Sequence, residues 1–480
     1  MKKVLSTVAA LGLVAGLAST AAAVEFKMSG KYQVEGAYLS SVALPVAGTT
    51  LTNGGVQPTV NATDEAVSDG YWMHTFEIKP TMKVNDKVSM ASVIRLADRS
   101  FWGNQPGGDA EGTNMATANS GVYVHQLYMD YASAIGTIRV GRTPAGTYGT
   151  DFMDFDQRGD RVMWWPSFLE KPWSTLFYMQ KSTNNNNNYN YATGVLNTSL
   201  ASDADNTAYV ARVYYQTENL DSGLHYQYTN NMTDYKQNAD LSWAAATGAP
   251  LSDAKQQLTA YGKYKMDNYF VNGELTHYFG SQDLDTNNAT TLLDKDYDSW
   301  AAMIQIGGKF DALTVSGMYF YAQGDDKSQD DEVNNALGTT GTGDQFSPLY
   351  ILTGRHTGML NNDIFNGQTA GMSTSGVHAF VLAADYAVSN QLSLHGAVGY
   401  AKADEASQTN FAGTYVNGYA GRDDSYGWEY NVGAAYKLLD NLTYEAHFGY
   451  LATGDYFKSS VAADNTENIY VLTHSLTMSF

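Results

Sequence analysis

Cysteine is absent from the 480 residues. That excludes disulfides, thiolate metal sites, haem attachment through cysteine and cysteine nucleophiles. Proline is scarce, at 9 residues, and no proline-rich spacer divides the chain. Length alone would suggest two or three soluble domains, yet no linker or shift in composition marks a boundary. After Ala23 no run approaches the roughly 18 apolar residues of a membrane-crossing helix. That absence is compatible with barrel strands, which cross with about 9–11 alternating residues and escape a hydropathy scan. Basic residues are also few. The 28 Lys and Arg against 49 Asp and Glu give a formal charge of −21, which excludes nucleic acid as a partner.

What is present is an alternation. Tyr470, Leu472, His474, Leu476, Met478 and Phe480 share one face, and Val471, Thr473, Ser475, Thr477 and Ser479 the other. Successive side chains of a strand point to opposite faces, so this is a two-sided strand. The same dyad runs through Phe26 to Tyr38 and through Trp72 to Val84. At the amino end, Lys2 and Lys3 precede an apolar run, Val8 to Leu17, and Ala21-Ala22-Ala23. That pattern predicts a signal peptide over 1–23, with the mature chain at 24–480. Its removal takes two cations and no acids, so the charge of −21 becomes −23. Acidity gathered in loops and pore would favour cations; acidity that only solvates the loops would not.

Asn85-Asp86, Ser133 to Gly136, Glu218 to Ser222, Asp267-Asn268, Asp311-Ala312, Ser389-Asn390 and Asp440-Asn441 each join two alternating segments. These residue types tolerate the backbone angles of tight hairpin turns. Long connections fall between, among them 143–172 and 323–375. Short turns at one end and long loops at the other predict an all-β fold, a transmembrane antiparallel β-barrel. Counting Tyr189 to Leu200 as a strand gives eighteen strands, with sixteen as the alternative. A barrel of that size encloses a water-filled lumen. The 35 tyrosines suit aromatic belts at the two membrane interfaces.

Residues 123–165 carry the sharpest motif. Gln126 to Tyr131, then Ile135-Gly136-Thr137-Ile138-Arg139-Val140-Gly141-Arg142-Thr143-Pro144, resemble a hairpin of the bacterial outer-membrane general-diffusion porins, most closely the deltaproteobacterial type. In that family a strand with this glycine–arginine spacing leads into an external loop that folds inward and narrows the pore. The terminal Phe480 resembles the signal read by the barrel-assembly machinery. The resemblance covers the whole mature chain in architecture, but in motif only this segment and the two ends. It implies a passive channel for small hydrophilic solutes and ions in the bacterial outer membrane, with periplasmic turns, contact with lipid and lipopolysaccharide, and a homotrimer. On that basis 143–172 is the candidate constriction loop.

Within it, Asp151, Asp154, Asp156 and Asp160 would make one wall of the constriction negative. Strand parity places Lys27, Lys31, Lys79, Lys83, Lys87, Arg95 and Arg139 inward, while Arg142 has outward parity unless the strand has ended there. Opposed charges of this kind select solutes. The plain alternative is that these residues pair to hold an ordinary external loop. Asp283, Asp285, Asn287 and Asp294 partly match calcium-loop spacing, without the glycine and glutamate that complete it. The acidic run Asp325 to Glu332 reads as a solvated loop or as a holder of divalent ions that bridge lipopolysaccharide. His74, His125, His277, His378 and His474 have outward parity near strand ends, at headgroup level. His74 and His474 lie near the seam of first and last strands.

Three other functions compete with a general channel. The connection 323–375 could cap the mouth of a substrate-specific channel. The barrel could sheathe a partner cytochrome in an electron conduit. An enzyme is disfavoured, because the histidines are scattered and none sits in a nucleophile motif. The acidic-constriction reading predicts that replacing Asp151, Asp154 and Asp156 with asparagine lowers cation preference; an unchanged reversal potential under a salt gradient would refute it.

Overall fold

The structure is a computed structural model. It describes residues 24–43, 67–102, 122–154, 158–183, 189–190, 195–196, 205–231, 235–237, 243–245, 250–284, 294–326, 331–338, 341–343, 345–354, 359–361, 372–405, 423–457 and 468–480. The expected signal peptide lies outside them.

Eighteen strands close into one antiparallel barrel. In chain order they are β1 (Glu25–Ala43), β2 (Val67–Lys83), β3 (Val88–Phe101), β4 (Tyr123–Ser133), β5 (Gly136–Pro144), β6 (Arg158–Pro166), β7 (Trp173–Thr183), β8 (Asp205–Gln216) and β9 (Leu220–Asn231). They continue as β10 (Pro250–Met266), β11 (Tyr269–Leu284), β12 (Lys295–Phe310), β13 (Leu313–Ala322), β14 (Val377–Ala387), β15 (Leu392–Lys402), β16 (Ser425–Leu439), β17 (Leu442–Thr453) and β18 (Ile469–Ser479). Each pairs with the next, and β1 pairs with β18 to close the ring, Lys31 opposite Ser479 and Leu39 opposite Val471. Phe480 completes the seam: its backbone exchanges hydrogen bonds with Gly30 at 2.8 and 3.1 Å. A side chain at Gly30 would strike the Phe480 ring, its Cβ 2.4 Å from Cζ.

The expected periodicity is what the barrel uses. Phe26, Met28, Leu127, Met129, Leu382 and Val432 are exposed on the outside. Tyr264, Tyr269, Phe310 and Tyr436 gather at the short-turn end, and Trp72, Trp102, Trp300 and Trp428 near the long-loop end. Two aromatic girdles around an apolar exterior are the surface a bilayer demands.

Eighteen is the expected count, but one strand lies elsewhere. Strand β7 pairs directly with β8, Thr183 opposite Asp205, so no barrel strand comes from Tyr189 to Leu200. The missing strand is β6, inside the span 143–172. Its inward residues include Met163 and Trp165, so both faces are apolar in sequence and the alternation is blurred. Met163 packs with Ala145, Leu176, Tyr178 and Val210 in a small core. A second departure concerns His125. The register of β3 and β4 shifts between Val93 and Ile94, a β-bulge that breaks the parity. His125 is therefore only 8% exposed. Its ring meets Tyr123 and Arg158, whose Nη1 lies 2.7 Å from Nδ1. The other four histidines keep their outward positions: His277 stacks on Trp300 at 4.0 Å, and His474 meets Trp72 edge-on at 4.4 Å.

The hairpin β4–β5 depends on Gly141, whose φ of +131° is glycine territory. A Cβ there would sit 2.3 Å from the Leu127 carbonyl oxygen. Gly141→Ala is expected to cost about 2 kcal/mol and to lower the temperature at which the folded form is lost on a gel-shift assay. Gly262→Ala, with nothing within 4 Å of its Cβ, should leave that temperature unchanged.

Candidate functional site in the barrel lumen

A loop that enters a lumen must find partners for its backbone amides. Here two loops do so in the same way. The first leaves β5 at Pro144 and crosses towards β8–β11. Glu274 of β11, only 4% exposed, receives it. Its Oε2 accepts from the Thr150 amide at 2.8 Å and the Thr150 hydroxyl at 2.9 Å, and its Oε1 from the Met153 amide at 3.1 Å. Gly149 makes this approach possible, since a Cβ there would lie 2.4 Å from the Glu274 carboxylate.

Arg212 of β8 holds the loop's near end. Its Nη1 donates to the carbonyls of Ala145 at 3.2 Å and Gly146 at 2.7 Å. Its Nε donates to His225 Nδ1 at 3.0 Å, so Nδ1 is the acceptor and the imidazole carries its proton on Nε2. Tyr148 stacks flat on His225, centroids 4.0 Å apart, with Arg212 over its ring at 4.5 Å. The Tyr148 amide donates to Asp154 Oδ2 at 2.8 Å, closing the loop on itself.

The second loop comes from the connection after β13. Glu429 of β16, fully buried, accepts from the amides of Ile351 at 2.7 Å and Leu352 at 2.9 Å. The Tyr350 hydroxyl bonds His447 of β17. Leu349, Ile351, Leu352, Met359 and Leu360 pack against Val377, Ala379 and Ala401 on the wall. The loops also meet each other. The Gly343 amide donates to the Phe152 carbonyl at 2.6 Å, and Phe346 packs edge-on against Phe152 and Phe320 at 5.0 and 5.1 Å.

The lumen is thereby divided. Inward residues of β12–β15, such as Ala301, Met303, Phe320, Val381 and Ala401, are buried under the loops. Near the short-turn end, inward residues of β1–β2 such as Lys27, Lys79 and Lys83 remain open, with 75%, 46% and 51% of their side chains exposed, whereas Leu39, Met73 and Thr75, nearer the long-loop end, are buried. The expectation of one inward loop thus becomes two.

The expected site residues separate accordingly. Of the four acids, Asp151 faces a cavity between the loops and the wall. Asp154 is buried at 2% exposure and serves the loop, not the pore surface. Asp156 lies outside the described residues. Asp160 sits on β6 with outward parity and pairs with Arg142, also outward, through two bonds of 3.1 and 2.9 Å. Neither can shape the lumen field, because the strand has not ended at Arg142. The inward cations hold their own acids on the same wall. Lys27 pairs with Glu25 at 2.8 Å, Lys79 with Glu77 at 2.9 Å, Lys83 with Asp86 at 2.8 Å, and Arg95 with Asp98 at 2.7 Å. Arg139 takes Asp130 through two bonds of 2.6 and 2.9 Å. Lys31 donates to Gln33 at 3.0 Å, and Lys87 lines a second cavity near the short-turn end. In the calcium-like stretch, Asp285 and Asn287 lie outside the described residues, while Asp283 belongs to β11. Among the described residues no cluster of three or more metal-binding side chains occurs.

Glu274, Glu429 and Arg212 carry the site and belong to no motif. One signal was available for the second loop. Ala379 to Ala384 is apolar on both faces, and a strand buried on both sides needs a cover on its inner face.

Asp154 lies in the loop, outside the strands. Burial pushes its carboxyl up from 3.8 to about 7; the Tyr148 amide opposes this, and the negative charges of Glu274 and Asp151 add to it. Its Oδ1 has no hydrogen-bond partner among the described residues. A raised carboxyl stabilises the seated loop in its neutral form. That contribution is complete below the ordinary carboxylate range and is lost as pH rises through about 7. Open-channel current noise should therefore be greater at pH 8 than at pH 5, and Asp154→Asn should flatten the dependence. Equal noise at both pH values in the unaltered protein would count against this anchoring role.

No family model matches the chain, and no curated protein matches it in sequence. Solved structures do match in shape. OccK5 (OpdH) of Pseudomonas aeruginosa aligns over 95% of this chain and 98% of its own, with 10% identity and a TM-score of 0.50. OpdL of the same species aligns over 95% and 99%, again with 10% identity and a TM-score of 0.50. A BenF-like porin from Pseudomonas fluorescens Pf-5 covers 95% and 99%, at 10% identity and a TM-score of 0.48. At one residue in ten identical, the likeness to the two Pseudomonas aeruginosa proteins is one of fold: this chain is a closed 18-stranded antiparallel barrel of their shape.

Proposed function

We propose that this protein is an outer-membrane porin, a passive channel for small hydrophilic solutes and ions, and not an enzyme. The observation that carries the reading is the divided lumen, in which two loops are tied to buried glutamates while the charged residues of β1–β2 near the short-turn end stay uncovered. The apolar exterior with its two girdles supports a membrane position, and short turns on one side suit a periplasmic face. Export by the segment 1–23 and assembly through Phe480 complete the route. The homotrimer and contact with lipopolysaccharide remain part of the proposal, supported by the family resemblance. Cation preference is supported by the acidity of the chain and by Asp151 on the cavity. The ion-paired wall of β1–β5 tempers it.

One observation favours a second reading, a substrate-specific channel. The loop after β13 does not merely cap the mouth; it packs into the lumen and builds a cavity with the first loop. The same packing argues against a sheath around a cytochrome, because the loops occupy the space a cytochrome would need.

Planar-bilayer recording tests both. The intact protein should give ohmic steps with a cation-directed reversal potential. Replacing 334–353 by a short Gly-Ser linker should raise conductance severalfold, because the cover on β12–β16 is removed. Steps of unchanged size in the shortened protein would reject the two-loop constriction, and silence of both proteins would reject the channel.

A further inference from the structure

Charged side chains in this lumen mostly close on one another, as Arg95, Arg139 and Lys79 do. In one cavity they do not. Below the point where the two loops meet lies a space of about 370 Å³, the size of a small-molecule site. Thr150 and Asp151 of the first loop and Gln345 to Pro348 of the second form one side, and inward residues of β10–β15 the other. Lys263 and Asp151 both line it. Neither has an ion-pair or hydrogen-bond partner for its side-chain charge among the described residues; the Lys263 ammonium lies only near the Tyr261 ring, 5.7 Å from its centroid. Their charges are thus more than a salt-bridge length apart, in one space.

Asp151 is held there rather than left loose. Its backbone is left-handed, φ +68°, between two anchored residues, Thr150 and Met153. Its carbonyl lies under Gly343, where a Cβ would approach to 2.0 Å. Around the cavity, Asn272 and Gln305 bond each other at 2.9 Å, and His395 bonds Asp385 at 2.8 Å. Met303, Met318 and Val381 supply an apolar floor. Two fixed charges of opposite sign, apart and unneutralised over an apolar floor, suit a ligand that carries both charges itself.

We propose that this cavity binds a small zwitterion, its ammonium group on Asp151 and its carboxylate on Lys263, with a short apolar chain over the floor. The inference rests on the channel reading above, since the solute reaches the cavity through the lumen, and it names the substrate class of that channel.

The test uses the full chain in a planar bilayer and three probes of matched size: 4-aminobutyrate, butyrate and butylammonium. At equal concentration 4-aminobutyrate should interrupt the open current with an apparent affinity about tenfold above either singly charged probe, the effect of one extra charge-assisted bond. Asp151→Asn and Lys263→Gln should each weaken that block about tenfold. Equal block by butylammonium would overturn the proposal in favour of a simple cation site, and equal block by butyrate would overturn it in favour of an anion site. Folded, conducting variants that leave the block unchanged would also overturn it. The three-probe comparison is made on the unaltered protein, so it decides even if a variant fails to assemble. Calorimetric titration of the detergent-solubilised protein with 4-aminobutyrate separates the two claims. Binding without current supports the site and rejects the channel; current without binding or block rejects the site alone.

Discussion

Everything inside this barrel depends on buried carboxylates that accept backbone amides. A loop that turns into a lumen leaves the sheet behind and must satisfy its N–H groups by other means. Glu274 and Glu429 do this from two places on the wall, on β11 and β16, each with both oxygens engaged. The bonds compensate the cost of taking a polar carboxyl group out of water. Dependence runs both ways: without the loop the glutamate would face the lumen as an ordinary pore charge, and without the glutamate the loop has no anchor.

From that constraint the asymmetry of the lumen follows. Once both loops are tied down they meet at Phe152, Phe346 and Gly343, and the strands beneath them need an apolar inner face. The barrel therefore holds a hydrophobic core in half its interior, with Phe320, Leu349, Ile351 and Met359 wholly out of contact with water. The uncovered half keeps lysines, glutamines and carboxylates. The open space is eccentric, towards the short-turn end of β1–β2.

Strand alternation and turn chemistry made the barrel legible in the sequence. Period-two patterning depends on the solvent difference between the two faces, and it holds wherever the inner face is wet. It failed at β6, where Met163 and Trp165 face inward into a small apolar core, and it misread Tyr189 to Leu200. The two misreadings offset each other in the strand count. Parity also failed at His125, because one extra residue in a bulge shifts every assignment beyond it without a mark in the composition. The inward loop after β5 was legible from the Gly141–Arg142 motif, but its anchors were not, since Glu274 and Arg212 are distant in sequence and ordinary in local context. Asp154 shows the limit of reading acids by loop position: the same residue type at two places in one loop becomes a buried clasp at 154 and a cavity wall at 151.

The paired cations of the uncovered wall bear on what a moving solute feels. Lys27 with Glu25, Lys79 with Glu77, Arg95 with Asp98 and Arg139 with Asp130 present a staircase of short dipoles rather than a basic surface. The field of a dipole dies within a few ångströms, well inside the roughly 8 Å screening length of physiological salt. A solute on this wall would travel over closely spaced shallow wells, each felt only on contact. Such a track has little long-range pull for salt to weaken, so motion along it should be governed by local friction more than by ionic strength.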